Sequence, residues 1–260
     1  MAKNRIAENN SFSIPALSKS IQSWLEYHIS QNRSYVLSES SIAYPIAEYL
    51  NQYRDSVELE HILAYFMRRR CDLVFKLKSD VVRGIDSPHY FEFKYTQNGS
   101  TRDKDEQQRV FDDLMRLNSI DAPAAKKYFL MAGVSTDFYE DFQNYTETDT
   151  SESTNDISNM AVTTSQKKVE KKKNIYRQMF SFSISRPTKV VCVNDEMIKP
   201  LVDGFKNDYK TCCKKKNRGR GKAYDIFIDE IKQIQTTLRY ISPNDCLARL
   251  AIWEITKATP

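Results

Sequence analysis

The sequence predicts one α/β domain, a three-layer α/β/α sandwich with a mixed central sheet. Its 260 residues suit a single elaborated domain and are enough for a real hydrophobic core. Hydrophobic residues make up 40% and charged residues 28%, which is the balance of a globular protein in water. Helical and β-rich segments follow each other along the chain, and helices on both sides of mixed strands imply this layered architecture.

Five segments have apolar residues at helical spacing. The second begins at Ser38, a residue type favoured at helix N-caps. The fourth and fifth lie in the C-terminal half, on either side of a lysine-rich stretch. We therefore expect helices over residues 12–31, 38–54, 103–119, 195–211 and 224–239.

Five other segments are rich in β-branched and aromatic residues and predict strands. They are residues 70–78, 89–96, 127–134, 175–184 and 188–193. The polar stretch 79–88 contains Gly84 and Pro88, which indicates a hairpin connection between the first two strands. Two segments stay ambiguous. Residues 58–67 fit a short helix or the approach to a strand, and residues 246–256 fit a strand or a short helix.

Two segments differ in composition from the rest. Residues 143–174 are rich in Ser, Thr, Asn and charge, which indicates a disordered insertion or a long surface loop. Residues 212–222 (CCKKKNRGRGK) predict a basic loop. The stretch 137–156 carries seven acidic residues and no Lys or Arg. The net charge of +5 weakly favours polyanionic partners.

Several functional classes are disfavoured. The five cysteines include no CxxC pair, so neither a zinc frame nor a disulfide scaffold is expected. No apolar run approaches the roughly 18 residues of a membrane helix. The first fifteen residues lack the apolar core of a secretory signal. We expect no membrane partner and a cytoplasmic location.

The strongest chemical signal is Asp72 followed by Glu92 and Lys94. Residues i and i+2 of a strand point to one face, so Glu92 and Lys94 should project together. Asp72 lies on the preceding strand of the hairpin and can approach the same point. Two carboxylates can hold a hard divalent cation, and a neighbouring lysine can position water and stabilise a charged transition state. This chemistry fits phosphodiester hydrolysis.

A helix acid is the fourth candidate. Glu39 lies three residues before Ile42, on the stripe that also carries Ile46 and Tyr53. A carboxylate on a core-facing stripe needs a partner. Glu48 lies off that stripe, so Glu39 is the preferred candidate. A favourable position in the first turn against the helix dipole would also explain Glu39.

This arrangement resembles the PD-(D/E)xK nuclease superfamily, whose fold is called restriction-endonuclease-like. An acid-bearing helix precedes Asp72, then come Glu92-x-Lys94 and a following helix; Cys71 stands where the motif has proline. The resemblance covers about residues 35–135. It implies metal binding by Glu39, Asp72 and Glu92, with Lys94 as the catalytic lysine. In some branches the following helix carries a site glutamine, which Gln107 or Gln108 matches loosely.

The resemblance also implies a cofactor, a substrate and a setting. The cofactor would be Mg²⁺, with Mn²⁺ as an alternative. The partner would be nucleic acid, with double-stranded DNA preferred, in restriction, phage defence or DNA processing. A homodimer or a place in a larger defence complex stays open. The residues expected to hold the phosphate backbone are Arg68, Arg69, Arg70, Lys214, Lys215, Lys216, Arg218 and Arg220.

Other interpretations stay open at this point. A Glu-x-Lys triplet on an edge strand is ordinarily a solvated charged face, and Asp72 could pair with the preceding arginines. The basic loop could be a solvated tether. The chain could also be a non-catalytic nucleic-acid-binding or assembly subunit with a nuclease fold. A third alternative is a protein-binding subunit that uses the acidic stretch 137–156 for docking.

Overall fold

The structure is a computed structural model that describes residues 12–51, 53–62, 70–97, 103–120, 122, 124–143, 174–216 and 232–258. Helices in the first half are α1 (Ile14–Ser30), α2 (Glu39–Leu50), the short α3 (Lys78–Val82) and α4 (Lys104–Ser119). A one-turn helix α5 (Ser135–Asp137) continues as a π-helical turn, Phe138–Gln143. Helices α6 (Tyr176–Met179) and α7 (Lys199–Lys216) follow.

The strands are β1 (Arg54–Ile62), β2 (Arg70–Leu77), β3 (His89–Thr96), β4 (Lys126–Val134), β5 (Thr188–Cys192), β6 (Gln233–Ile241) and β7 (Ala248–Lys257). Within the described residues they form one seven-stranded sheet in the order β1-β2-β3-β4-β7-β6-β5. Strands β3 and β4 are parallel, and each other neighbouring pair is antiparallel. Helix α4 connects the parallel pair. The sheet is therefore mixed, and the protein is a mixed α/β protein.

The helices bury their apolar residues against the sheet in two clusters. One cluster joins α1 and α2 to side chains such as Leu73, Phe91 and Phe93. The other joins α4, α6 and α7 to side chains such as Phe129 and Trp253. Because successive residues of a strand point to opposite faces, the inner strands β2, β4 and β7 contribute to both clusters.

The elements around the candidate site match their sequence-based prediction. Ser38 caps α2, and the hydroxyl of Ser38 accepts a hydrogen bond from the Ser41 amide. The β3 range is the predicted 89–96, and the predicted apolar stripe of α4 is buried. Helix α2 ends at Leu50 rather than near Arg54, which instead begins β1. The ambiguous residues 58–62 and 248–256 are strand.

The predicted strand 175–184 is wrong. Tyr176–Met179 forms the single turn α6, and residues 180–187 have no regular structure. The aromatic residues that suggested a strand are used for packing: Phe180 lies 4.5 Å from Trp253 between ring centroids. The Trp253 indole N–H donates to the carbonyl of Ser181. This segment therefore covers one face of the sheet instead of extending it.

The predicted helix 224–239 is wrong over its described part, where Gln233–Ile241 is strand β6. Ile234 and Leu238 fit a helical stripe, but they also alternate with Thr236 at period two, and all three are buried. Pairing with both β5 and β7 decides in favour of the strand. Long-range pairing of this kind overrides local periodicity.

The basic loop is also corrected in part. Helix α7 runs to Lys216, so residues 212–216 are helical, and residues 217–222 lie outside the described residues. The α7 helix begins at Lys199 rather than at 195. Residues 144–173, nearly all of the predicted insertion, are outside the described residues as well. Among the described helices, none is long and apolar enough to cross a lipid bilayer.

Candidate active site

Strand β3 presents alternating faces, and this decides where Glu92 and Lys94 lie. Phe91 and Phe93 are buried in the cluster with α1 and α2. Glu92 and Lys94 therefore project from the opposite face, toward α4. Both are nearly inaccessible to solvent, at 1% and 8% exposure. Charged groups so deeply buried need partners in the protein.

Asp72 lies on β2, the antiparallel neighbour of β3. The β2–β3 register pairs Leu73 with Phe91, and Asp72 immediately precedes this last backbone pair. One Asp72 carboxylate oxygen accepts a hydrogen bond from the Phe93 amide at 2.6 Å. The carboxyl groups of Asp72 and Glu92 are close enough for each to shift the pKa of the other. The two acids predicted to share one metal are therefore adjacent.

Lys94 is held between carboxylates from two different helices. Its ammonium donates to both carboxylate oxygens of Glu39, at 3.0 and 3.1 Å. Glu39 is the first residue of α2, so the preferred helix acid does reach the site. On the other side, Lys94 Nζ lies 3.2 Å from Oδ2 of Asp113 on α4. Glu48, the less favoured of the two candidate helix acids, is exposed.

Two residues of α4 were missed by the sequence-based prediction. Arg116 donates from Nε and Nη2 to Glu92 Oε1, at 3.3 and 3.2 Å. Arg116 Nη2 also donates to Asp113 Oδ1. The signal was present: Asp113 follows Val110 by three residues and precedes Leu117 by four, which places a carboxylate on the apolar stripe.

These six residues are called the charged cluster: Glu39, Asp72, Glu92, Lys94, Asp113 and Arg116. Its four carboxylates face two cations, so it carries two excess negative charges when every group is ionised. Side-chain exposure shows which end of the charged cluster faces solvent. The Glu39 side chain is 44% exposed and that of Glu92 only 2%. The cluster therefore opens to solvent near Glu39 and is closed at Glu92 and Asp113.

Burial and the excess negative charge raise the proton affinity of the acids. Burial, with smaller contributions from Asp72 and Asp113, raises the pKa of Glu39 to about 7 although Lys94 opposes the shift. Burial and the neighbouring Asp113 raise the pKa of Glu92 well above its usual value, against the effect of Arg116. Burial also raises the pKa of Asp72, against the Phe93 hydrogen bond. Protons thus relieve the repulsion among these acids.

The pKa values of the two cations are raised as well, although burial acts on them in the opposite direction. Burial alone would lower the pKa of Lys94, but Asp113, Glu39 and Asp72 outweigh it and raise that pKa. Arg116 behaves in the same way: Asp113 and Glu92 overcome the cost of burial and raise its pKa. Both side chains are therefore cations at neutral pH.

The donor set fits a magnesium ion held by few protein ligands. Among the described residues, no three His, Cys, Asp or Glu side chains form a ready-made metal-binding group. Magnesium, however, commonly keeps several waters and takes only one or two carboxylates from the protein. Asp72 and Glu92 offer such a pair, and with every group ionised the two excess negative charges of the cluster would match one divalent cation.

The described residues include four of the eight predicted to contact nucleic acid. Arg70 is exposed at the start of β2, two residues before Asp72. Lys214, Lys215 and Lys216 form the last residues of α7. Arg68, Arg69, Arg218 and Arg220 lie outside the described residues.

Gln108, one of the two loosely matched glutamines, has a different role. Its amide donates to Asp112 Oδ1 at 2.7 Å and to the Leu201 carbonyl on α7 at 2.9 Å. A Cβ added to Gly204 would lie 2.3 Å from the Gln108 side-chain oxygen, so α4 and α7 approach closely here. Gln108 therefore fastens α4 to α7.

Comparisons with family models, curated proteins and solved structures find no match for this chain.

Proposed function

We propose that the protein is a metal-dependent nuclease that hydrolyses phosphodiester bonds in DNA. The observation that carries this proposal is the convergence of Asp72, Glu92, Lys94 and Glu39 on one cluster. These residues come from three separate elements. A solvated charged face on a strand would not be buried, whereas Glu92 and Lys94 are.

The chain's own residues would divide the work between binding and catalysis. Asp72 and Glu92 would hold Mg²⁺ or Mn²⁺, with Glu39 at the open side as a further oxygen donor. The metal, when bound, would acidify a coordinated water and neutralise charge on the scissile phosphate. Lys94 would orient the attacking water and stabilise the negative charge that develops on the phosphate. Phosphate would enter from the Glu39 side, because that side is the exposed one.

Two further features support the proposal. The mixed sheet carries α1 and α2 in one hydrophobic cluster and α4 in the other, which agrees with a three-layer, restriction-endonuclease-like core. The sequence places positive charge at the C-terminal end of α7 and at Arg70, which supports contact with a phosphate backbone. A role in restriction, phage defence or DNA processing rests on the family resemblance.

A second candidate is a non-catalytic nucleic-acid-binding or assembly subunit. It is favoured by the pairing of Glu92 with Arg116 and of Lys94 with two carboxylates. In this reading the cluster is a buried ion-pair network whose partners are already satisfied. Networks of this kind can serve conformational specificity rather than chemistry.

Cleavage assays separate the two candidates. Wild-type protein and Lys94→Met are incubated with supercoiled plasmid, linear duplex and single-stranded DNA, in Mg²⁺, Mn²⁺ or EDTA. The proposal expects cutting by the wild type in either metal, no cutting in EDTA, and a loss of about 100-fold or more in Lys94→Met.

The matched control is Lys76→Met. Lys76 lies on the neighbouring strand β2 and pairs with Asp86 at 2.6 Å, away from the cluster. This variant should cut at the wild-type rate. Cutting in EDTA, or equal cutting by Lys94→Met, would overturn the nuclease mechanism. A wild type that binds DNA without cutting it in any metal would favour the second candidate.

A further inference from the structure

Asp113 occupies the centre of the charged cluster although no motif points to it. Its side chain is 3% exposed. Oδ1 accepts from Arg116, and Oδ2 lies 3.2 Å from Lys94 Nζ. Oδ2 makes no hydrogen bond within the described residues, so its contact with Lys94 is an ion pair alone. One carboxylate thus bridges the two cations of the cluster.

Asp113 also influences Glu92 and Glu39 indirectly, through the cations that contact them. Arg116, which it holds, donates twice to Glu92 Oε1. Lys94, which it faces, donates to both oxygens of Glu39. Asp113 is therefore connected to Glu92 through Arg116. It is connected to Glu39 through Lys94. Its charge also bears on Asp72, Glu92 and Glu39 directly.

We propose that Asp113 is a positioning residue of this site: its carboxylate bridges Lys94 and Arg116, and through Arg116 it fixes the Glu92 carboxylate. The inference rests on the proposed nuclease function for its catalytic consequence. It does not make Asp113 a catalytic residue, since Asp113 lies behind Lys94 as seen from the open, Glu39 side. Arg116 is the intermediary, and a guanidinium suits that role because its planar donors are rigidly arranged and reach both Glu92 and Asp113.

Removal of the Asp113 charge has a definite consequence for the cations. Lys94 would be left with Glu39 as its hydrogen-bonded carboxylate, and Arg116 would be left with Glu92. Both cations would then hold more tightly to acids that the metal needs. Replacement of such outer partners typically costs about 10- to 100-fold in metal affinity or activity.

The neighbouring Asp112 gives the chain its own matched control. Asp112 is also buried, at 7% exposure, and lies on the same helix. Its oxygen accepts from Gln108, which is fastened to α7. Asp113 and Glu92 raise the pKa of Arg116 more than Asp112 does. Asp112→Asn therefore reproduces the loss of a buried carboxylate charge without removing the bridge.

The experiment compares Asp113→Asn, Asp112→Asn and wild type in two assays. The first is Mn²⁺ binding by calorimetry with the metal alone. The second is DNA cleavage, resolved into kcat and KM. Asp113→Asn should weaken Mn²⁺ binding and lower kcat by about 10- to 100-fold, with KM for DNA changed less than about threefold. Asp112→Asn should stay within about threefold of wild type in both assays. Equal effects of the two variants would overturn the proposal.

A third measurement does not depend on nuclease activity. The unfolding equilibrium constants of wild type, Asp113→Asn, Lys94→Met and the double variant form a thermodynamic cycle. A bridging contact predicts a coupling of about tenfold between the two positions, and the pair Asp112 and Lys94 should show none. If the wild type cuts no DNA, the proposed function fails. The cycle still tests whether Asp113 interacts with Lys94. An absent coupling between Asp113 and Lys94 would overturn it.

A second variant covers the case in which Asp113→Asn does not fold. Arg116→Lys keeps the charge but replaces the fork that reaches both Glu92 and Asp113. It should lower Mn²⁺ affinity by about tenfold, because the ammonium cannot hold both carboxylates in the same geometry. Wild-type Mn²⁺ affinity in a folded Arg116→Lys would count against the bridge.

Discussion

The Lys94 ammonium donates to both carboxylate oxygens of Glu39, at 3.0 and 3.1 Å, across a separation of 55 residues in the sequence. This contact joins the first residue of α2 to strand β3. It selects Glu39 over Glu48 as the helix acid of the site. It also places the exposed end of the charged cluster next to the proposed catalytic lysine.

We predict that Glu39→Gln lowers DNA cleavage by about tenfold in kcat/KM, because Lys94 loses the carboxylate that orients its ammonium. Glu48→Gln is the matched control on the same helix, and it should cut at the wild-type rate. Cleavage of plasmid DNA at saturating Mg²⁺ measures both. Equal rates for all three proteins would remove Glu39 from the site.

His89 makes the stability of the fold dependent on pH. Its ring is buried and stacks on Phe75 at 4.7 Å, with Phe12 edge-on at 5.3 Å. Burial lowers the pKa of His89 from 6.5 to about 4; nearby Lys126 lowers it further, and Asp80 and Glu254 act to raise it. Between pH 6.5 and about pH 4, His89 binds a proton in the unfolded chain but stays neutral in the folded protein. The free energy of unfolding therefore falls from pH 6.5 down to about pH 4.

The variant His89→Phe isolates this effect. The difference in unfolding free energy between wild type and variant should shift in favour of the variant by at most about 3 kcal/mol on going from pH 7 to pH 4. The carboxylates titrate in both proteins, so their contributions largely cancel in the difference between the two unfolding free energies. Urea denaturation at several pH values measures it. Parallel curves for the two proteins would show that His89 does not contribute.

Lys127 caps the end of the helix that carries Asp113 and Arg116. Its buried ammonium donates to the Ile120 carbonyl at 2.7 Å and approaches that of Asn118 at 3.5 Å. The last carbonyls of a helix have no partner inside it. Lys127→Met should therefore lower the free energy of unfolding by about 1–3 kcal/mol.

The adjacent Lys126 provides the control for this prediction. Its side chain is 52% exposed and lies 3.8 Å from Glu254. Lys126→Met should cost less than about 1 kcal/mol, as expected for an exposed ion pair. Chemical denaturation with a constant m-value measures both variants. A Lys127→Met protein as stable as Lys126→Met would contradict the capping role.

The strand residues of the site were predictable because local rules govern them. Period-two alternation on β3 was enough to place Glu92 and Lys94 on one face, and the hairpin brought Asp72 beside them. Glu39 was recognisable because a carboxylate on an apolar stripe requires a partner. Asp113 carries the same kind of signal on α4, whereas the family resemblance points to other positions on that helix, Gln107 and Gln108.

The sequence by itself determined the elements whose residues satisfy one periodicity: α1, α2, α4, and the strands of the site. Only the tertiary structure decided β6, since Ile234 and Leu238 satisfy both the helical and the strand period, and pairing with β5 and β7 makes the choice. It also decided that residues 180–187 cover the sheet rather than join it. Above all it decided the partners of the charged cluster. Which cation neutralises which buried acid depends on distances between α2, β3 and α4, and no local pattern in the chain encodes those distances.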